Sequence, residues 1–322
     1  MPDFYNDVIQ RKKMIKMAQG IFLGIISQFL FGLLYLFSLW LQPLSGTDVF
    51  AWRMVMMVFG LFLIIFPTVG CRSLSKLVNE TLGKDKKRWM LFLLGTLDAG
   101  SQFWLFMWAP VNGEGVNIAM GYFLYPLVMA LLGRLWLKET LSIIQIIALC
   151  IAALGVIHEL WHNQTFSWTS LWECLIYPYY YLSRKAIRIP PLQGITLDTC
   201  IIAVPCLIYL IIQEQQFSFV MNESRYWYLL PALGLVSAIG LSANLKSSQQ
   251  IPISIFSVLS YLEPTLLFLI AIFWLNTPVF PSDYVTYVPI WISLILLGIN
   301  GLMKNITKFD RTLCAKVRSF LK

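Results

Sequence analysis

Residues 256–274 read Phe-Ser-Val-Leu-Ser-Tyr-Leu-Glu-Pro-Thr-Leu-Leu-Phe-Leu-Ile-Ala-Ile-Phe-Trp, an apolar run of membrane length interrupted by one charge, Glu263, and the proline that follows it. About 20 apolar residues cross the hydrocarbon core of a bilayer. An ionised, unpaired carboxylate at the centre of such a segment costs about 3 kcal/mol or more. Pro264 removes a backbone N–H at the same depth and weakens the helix there. A charge beside a helix defect at mid-membrane marks a substrate or ion site, and the fold depends on how many further segments surround it.

The composition supplies them. Hydrophobic residues make up 58% of the 322 and charged residues 12%, with a mean hydropathy of +0.71, far from the balance of a soluble domain. The chain divides into ten apolar blocks, roughly 18–40, 47–68, 89–110, 115–134, 141–160, 167–187, 195–213, 226–247, 252–275 and 284–303. Connectors are short and leave no room for an appended soluble domain. The first block is too long for a cleavable signal and lacks a small-residue cleavage site, so it reads as a retained helix. Six scattered cysteines form neither a disulfide framework nor a metal knuckle.

Of the 24 Lys and Arg, all but Arg53 and Arg225 fall on one side of a ten-span arrangement, while Asp48, Glu114, Glu159, Glu214, Glu223 and Asp283 lie on the other. By the positive-inside rule both termini are cytoplasmic. The net charge of +8 then marks topology, with anionic lipid headgroups rather than nucleic acid as its partner.

Ten spans split near residue 164 into two sets of five, and an odd number per half inserts the second half upside down, the plan of many secondary carriers. Gly121-Tyr-Phe-Leu-Tyr-Pro126 in span four parallels Leu259-Ser-Tyr-Leu-Glu-Pro264 in span nine. Thirteen residues after each proline stand Glu139 and Thr277, closing Trp136-Leu-Lys-Glu and Trp274-Leu-Asn-Thr. The expected architecture is an all-α integral membrane protein: a cytoplasmic segment at 1–17, five-helix repeats at 18–163 and 164–303, and a basic cytoplasmic tail at 304–322. Pro126 and Pro264 are the expected helix breaks near the midplane, although membrane helices also carry prolines that only adjust the backbone around them.

Gly121-Tyr-Phe-x-x-Pro-Leu127, Leu132-Gly133, Lys138-Glu-Thr-Leu-Ser142, Gln145 and Gly155-Val156 resemble the RarD branch of the EamA drug/metabolite transporter superfamily. Trp108-Ala-x-Val-Asn112, Arg184-Lys185 and Tyr261-x-x-Pro-Thr265 with Phe268 continue the pattern from span one to span ten. The resemblance implies a ten-helix, inverted-repeat exporter or carrier of small organic molecules in a bacterial inner membrane. Several positions depart from it. Tyr125 stands where the family has Asn, Glu263 where it has a small or apolar residue, and Trp52-Arg53 where it has His-Arg. Gln102, Asn117 and Thr277 replace an Asn and two Glu. Polar positions are redistributed, so the architecture transfers better than any substrate.

The candidate substrate-binding or coupling residues are Glu263, Tyr125, Tyr122, Tyr261, Asp98, Gln102, Trp104, Glu173 and Arg53. Arg53 sits about two turns into span two, where it either meets a carboxylate or anionic substrate or snorkels to the headgroups. Asp98 and Gln102 are four apart and share a face; with Trp104 and Trp108 they form a polar–aromatic stripe, for which lipid-facing interfacial Trp is the alternative. Glu173 precedes Tyr177, Tyr179, Tyr180 and Tyr181. Asp198 reads as a helix-terminus charge, Arg184 and Lys185 as a cytoplasmic connector, and Glu139 with Thr140 and Ser142 as the cap of span five. Glu263 either exchanges a proton as a substrate takes its place, or pairs with Arg53 or a substrate amine. The aromatic residues would wall a flat or cationic organic molecule, such as an amino acid or drug-like compound.

His158-Glu159-Leu-Trp-His162 matches the two-His zinc pattern with a Glu base, and it holds both histidines of the chain. It lies at the outer end of span five and no motif supplies a third ligand, so an intramembrane metalloprotease is the weaker alternative. A non-transporting membrane scaffold is another. No glycine loop for a nucleotide is present, and neither a cofactor nor a metal is expected.

Overall fold

The computed structural model describes residues 2–139, 141–163 and 168–273, with 284–286, 288–293 and 295–296 beyond them. Trp274 and Thr277, and with them the second member of the repeat's spacing, lie outside the described residues, as does the basic tail. Every regular element among the described residues is helical.

The elements are α1 (Pro2–Trp40), α2 (Gly46–Thr68), α3 (Arg72–Lys76), α4 (Lys86–Trp108), α5 (Gly115–Trp136), α6 (Ile143–Asn163), α7 (Trp168–Ala186), α8 (Pro191–Ile212), α9 (Glu214–Asn222), α10 (Tyr226–Gln250), α11 (Ile253–Leu259) and α12 (Leu262–Phe273). A π-helical turn, Leu77–Leu82, follows α3, and a 3₁₀ turn, Pro110–Asn112, follows α4. Each of the first eight apolar blocks overlaps one helix, the described part of the ninth overlaps α11 and α12, and 284–296 contains helical residues where the tenth is expected. Among the described residues five helical stretches are long and apolar enough to cross a membrane: Met14–Phe37, Gly46–Thr68, Lys86–Trp108, Pro191–Ile212 and Tyr226–Gln250.

Local chemistry sets the ends. Ser45 and Asp48 form a capping box at the start of α2: the Ser45 hydroxyl oxygen accepts from the Asp48 N–H at 3.2 Å, and Asp48 accepts from the Ser45 N–H at 3.2 Å. Asp85 caps α4 by accepting from the Lys87 N–H at 2.9 Å. Pro191 occupies the first turn of α8, where its missing N–H is harmless. Three features differ from the sequence expectation: α1 begins at Pro2 rather than near 18, and the connectors at 72–82 and 214–222 are helical.

The two prolines behave differently. Span nine is divided into α11 and α12 one turn before Pro264. A proline at 264 cannot donate to the carbonyl of Ser260, and its ring clashes with that carbonyl. The Ser260 carbonyl accepts instead from the Glu263 N–H at 3.3 Å, in a tightened turn that fixes Glu263 at the start of α12. Pro126, by contrast, lies inside an unbroken α5. The expected break at Pro126 is therefore corrected: α5 is gripped by α7, α11 and α6, and that packing holds the helix through a single lost hydrogen bond.

Helix packing comes in matched sets. With the apolar blocks numbered as spans, α1 against α10 (one and eight) is mirrored by α7 against α4 (six and three). Likewise α2 against α10 (two and eight) matches α8 against α4 (seven and three), and α1 against α12 (one and nine) matches α7 against α5 (six and four). The contacts of α2 with α8 and of α5 with α11 join spans that exchange with each other. Small residues permit the close crossings: a Cβ at Gly234 of α10 would lie 2.5 Å from the backbone carbonyl carbon of Met56 in α2. Large apolar side chains such as Leu63, Leu97, Trp161 and Ile211 stand exposed on the outside, the pattern of a lipid-facing surface.

Candidate functional site

At the middle of the helices lie two adjoining cavities. The first, of about 340 Å³, is lined by Phe31, Arg53, Gln102, Phe103, Phe106, Tyr122, Tyr177, Leu241 and Glu263. The second, of about 280 Å³, shares Phe31, Tyr122, Tyr177 and Glu263 with it and adds Gln28, Tyr125, Tyr181, Asn244 and Ser260. The broken span nine delivers Glu263 to both, and the eighth residue of α2 delivers Arg53 to the first.

Arg53 does not snorkel. It is 2% exposed; its Nε donates to Ser237 Oγ on α10 at 2.9 Å, and its Cζ lies 5.6 and 5.5 Å from the ring centroids of Phe103 and Phe106. Its Nη1 has no hydrogen-bond partner among the described residues. Glu263 faces the same cavity, and no ion pair joins the two side chains. Arg53 and Glu263 thus share an aromatic-walled space and act on each other electrostatically without a salt-bridge contact.

The phenols form a hydrogen-bonded wall. The Tyr177 and Tyr181 hydroxyl oxygens are 3.0 Å apart, Tyr181 donates to Asn244 Oδ1 at 2.7 Å, and Asn244 Nδ2 donates to Ser27 Oγ at 2.9 Å. The Tyr125 ring stacks on Tyr177 with centroids 5.3 Å apart. Gln28, Phe31, Asn244 and Ser260 are cavity residues that the sequence reading missed. The available signal was faint: Gln28 and Asn244 are amides inside otherwise apolar spans.

Of the residues singled out from sequence, the cavities bring together Glu263, Arg53, Gln102, Tyr122 and Tyr125. Glu173 and Asp98 are buried nearby, outside both linings. Tyr261 is fully buried in a separate packed cluster with Phe123, Ala152, Val156, Val258 and Ile290. Trp104 stacks on Trp108 with centroids 4.9 Å apart and donates to Thr47 Oγ1 at 3.2 Å. It lines a different, largely apolar groove between α2, α4 and α8.

Two expectations about charges near the ends of the apolar runs need correction. Asp198 is no helix-terminus charge and Arg184 is no connector residue: both are 0% exposed, with Arg184 Nη2 2.6 Å from Asp198 Oδ1. Asp198 also accepts from Thr96 Oγ1 at 2.6 Å and from the Tyr180 hydroxyl at 3.0 Å. Arg184 lies in the last turn of α7, and the packing of α4 and α8 against that turn covers it. Ser142 and Gln145 cap span five reciprocally, and Thr140 lies outside the described residues. Glu139 Oε1 instead accepts from the Ile253 N–H at 2.9 Å, at the start of α11, and from Lys185 Nζ at 3.2 Å.

Near the C-terminal end of α6 the His158 and His162 rings stack with centroids 6.0 Å apart, and His158 Nδ1 lies 3.0 Å from Thr286 Oγ1. Among the described residues no three His, Cys, Asp or Glu side chains cluster to hold a metal.

The EamA-like transporter family matches residues 18–158. A Haemophilus influenzae protein named an uncharacterized transporter is 70% identical over 91% of this chain and 98% of its own length. The chloramphenicol-sensitive protein RarD of Pseudomonas aeruginosa is 35% identical over 87% of this chain and 94% of its own. The chain belongs to the EamA-like transporter family. Within it, this transporter is RarD-like. A solved crystal structure shares its fold at 15% identity, with a TM-score of 0.64 over 88% of this chain and 96% of that one. The chain is an integral membrane protein of a family named for transporters, and its Haemophilus influenzae relative is named as a transporter.

Proposed function

We propose that this transporter is a secondary carrier, operating as an exporter, for a small zwitterionic organic molecule such as an amino acid. Its ten spans would form two inverted five-helix halves, 18–163 and 164–303, with both termini on the cytoplasmic side of a bacterial inner membrane. The matched helix pairings support that plan, since exchange of the halves is what alternating access around a central site requires.

One observation carries the substrate class: Arg53 and Glu263 face one cavity without pairing. Two buried charges of opposite sign, held apart, are each costly until a partner arrives. A zwitterion supplies both partners, its carboxylate to the guanidinium, where two parallel hydrogen bonds are possible, and its ammonium to Glu263. Phe31, Phe103, Phe106, Tyr122 and Tyr177 would surround the remainder.

Counterflow in proteoliposomes, screened over amino acids, amines, nucleosides and drug-like aromatics at two pH values, tests the proposal. Zwitterions should exchange, and Arg53→Gln and Glu263→Gln should each abolish exchange in a folded protein. Unchanged exchange in both variants would sink it.

A further inference from the structure

Glu173 lies behind the cavity, on the face of α7 that packs against α5. It is 0% exposed, and it occupies a niche made by a glycine: a Cβ at Gly121 would lie 2.9 Å from Glu173 Cγ and 3.0 Å from the Ser170 carbonyl oxygen. The first residue of the Gly-Tyr-Phe motif therefore makes room for a carboxyl group. On α4, Asp98 is 6% exposed, and Gln102, one turn further along the same face, is 3% exposed.

Both oxygens of Glu173, both of Asp98 and the amide oxygen of Gln102 lack a hydrogen-bond partner among the described residues. The Gln102 amide and the Tyr180 backbone N–H act on Asp98, whereas no donor acts on Glu173. Each acceptor left without a partner costs about 1–3 kcal/mol, more when charged. A proton is the smallest species that changes this, because a protonated carboxyl becomes a donor while keeping acceptor capacity.

The surroundings offer no competing remedy. The acidic groups acting on Glu173 are Asp98 of α4 and Glu263 of α12. From α5 the titratable neighbours are the phenols of Tyr122 and Tyr125, and on α7 itself they are Cys174, Tyr177 and Tyr181. α10 contributes none to it, and no cation acts on it among the described residues. Arg184 acts on Asp98 but is already committed to Asp198. Gln102 links this cluster to the substrate cavity, since it lines that cavity and its Nε2 lies 3.5 Å from the Trp172 carbonyl oxygen beside Glu173.

We propose that Glu173, backed by Asp98, is a proton-exchange site of the carrier, separate from the Arg53–Glu263 cavity and joined to it through Gln102. The word carrier rests on the transport proposal above; the bound proton does not, and it can be read without any substrate.

Infrared pH titration of the purified protein in lipid nanodiscs tests it. Wild type should show the C=O stretch of a carboxylic acid without strong hydrogen bonds, disappearing reversibly as the pH rises. Glu173→Gln should remove that band and Glu263→Gln should leave it. Asp98→Asn should keep the band but shift the pH at which it disappears, and this variant decides the matter if Glu173→Gln does not fold. Absence of the band in wild type, its persistence in Glu173→Gln, or an unshifted titration in Asp98→Asn would overturn the proposal. Counterflow lost in Arg53→Gln with the band intact would separate the two sites; a band lost in Glu263→Gln would merge them and overturn this one.

Discussion

Asp198 and Glu173 are both fully buried carboxylates, on consecutive helices of the second half, yet their surroundings treat them oppositely. Asp198 accepts from Arg184, Thr96 and Tyr180, and the Arg184 guanidinium is further held over the Phe92 ring at 4.0 Å. Glu173 accepts from no donor among the described residues. Burial alone therefore does not separate a structural charge from a functional one; the count of donors does. Arg53 and Glu263 differ from the Arg184–Asp198 pair in another way, by lining a cavity. They are buried like Arg184 and Asp198, but they make no salt-bridge contact.

The sharpest way to break this contrast is at the closed pair. Arg184→Ala or Asp198→Ala leaves the other charge buried without its partner and should destabilise the folded protein by about 3–5 kcal/mol, seen as a large drop in thermal unfolding temperature in detergent. Gly121→Ala comes next. Its new methyl group meets Glu173, and overpacking of this kind costs about 1–3 kcal/mol, measurable by the same assay. Asn244→Ala removes the link between Tyr181 and Ser27 and should cost about 1 kcal/mol. Arg53→Gln and Glu263→Gln should move stability least, or even raise it, because each removes an uncompensated charge. A loss from either as large as that at Asp198 would erase the distinction between the two regions.

Much of this was legible in the sequence, unevenly so. Apolar run length placed nine of the helices, because backbone groups in lipid must bond within their own segment. Pro264 announced the break beside Glu263, since the lost N–H and the clash at Ser260 are local effects. Pro126 carried the same local signal and misled, because the grip of α7 and α11 on α5 is set by residues distant in sequence. The Arg184–Asp198 pair was hidden for a similar reason: a charge near the end of an apolar run looks like a connector until a partner from another helix covers it. Glu173, Asp98 and Arg53 stood out as charges in apolar spans. Which of them meets a donor, a cavity or only other acceptors depends on helix rotation, which hydropathy does not encode. Tyr261 and Trp104 show the same limit: their composition suits a cavity wall, and packing turned them elsewhere.

The most direct test of the account is competition for counterflow in proteoliposomes by three matched compounds: an aromatic amino acid, its amine lacking the carboxylate, and its acid lacking the ammonium. If Arg53 and Glu263 wait for opposite ends of one molecule, the zwitterion competes strongly and both truncated compounds lose at least about tenfold, the effect of about 1.4 kcal/mol. Arg53→Gln should then lower the zwitterion's competition to the level of the amine. Competition by the amine equal to that of the zwitterion in wild type, and unchanged in Arg53→Gln, would contradict it.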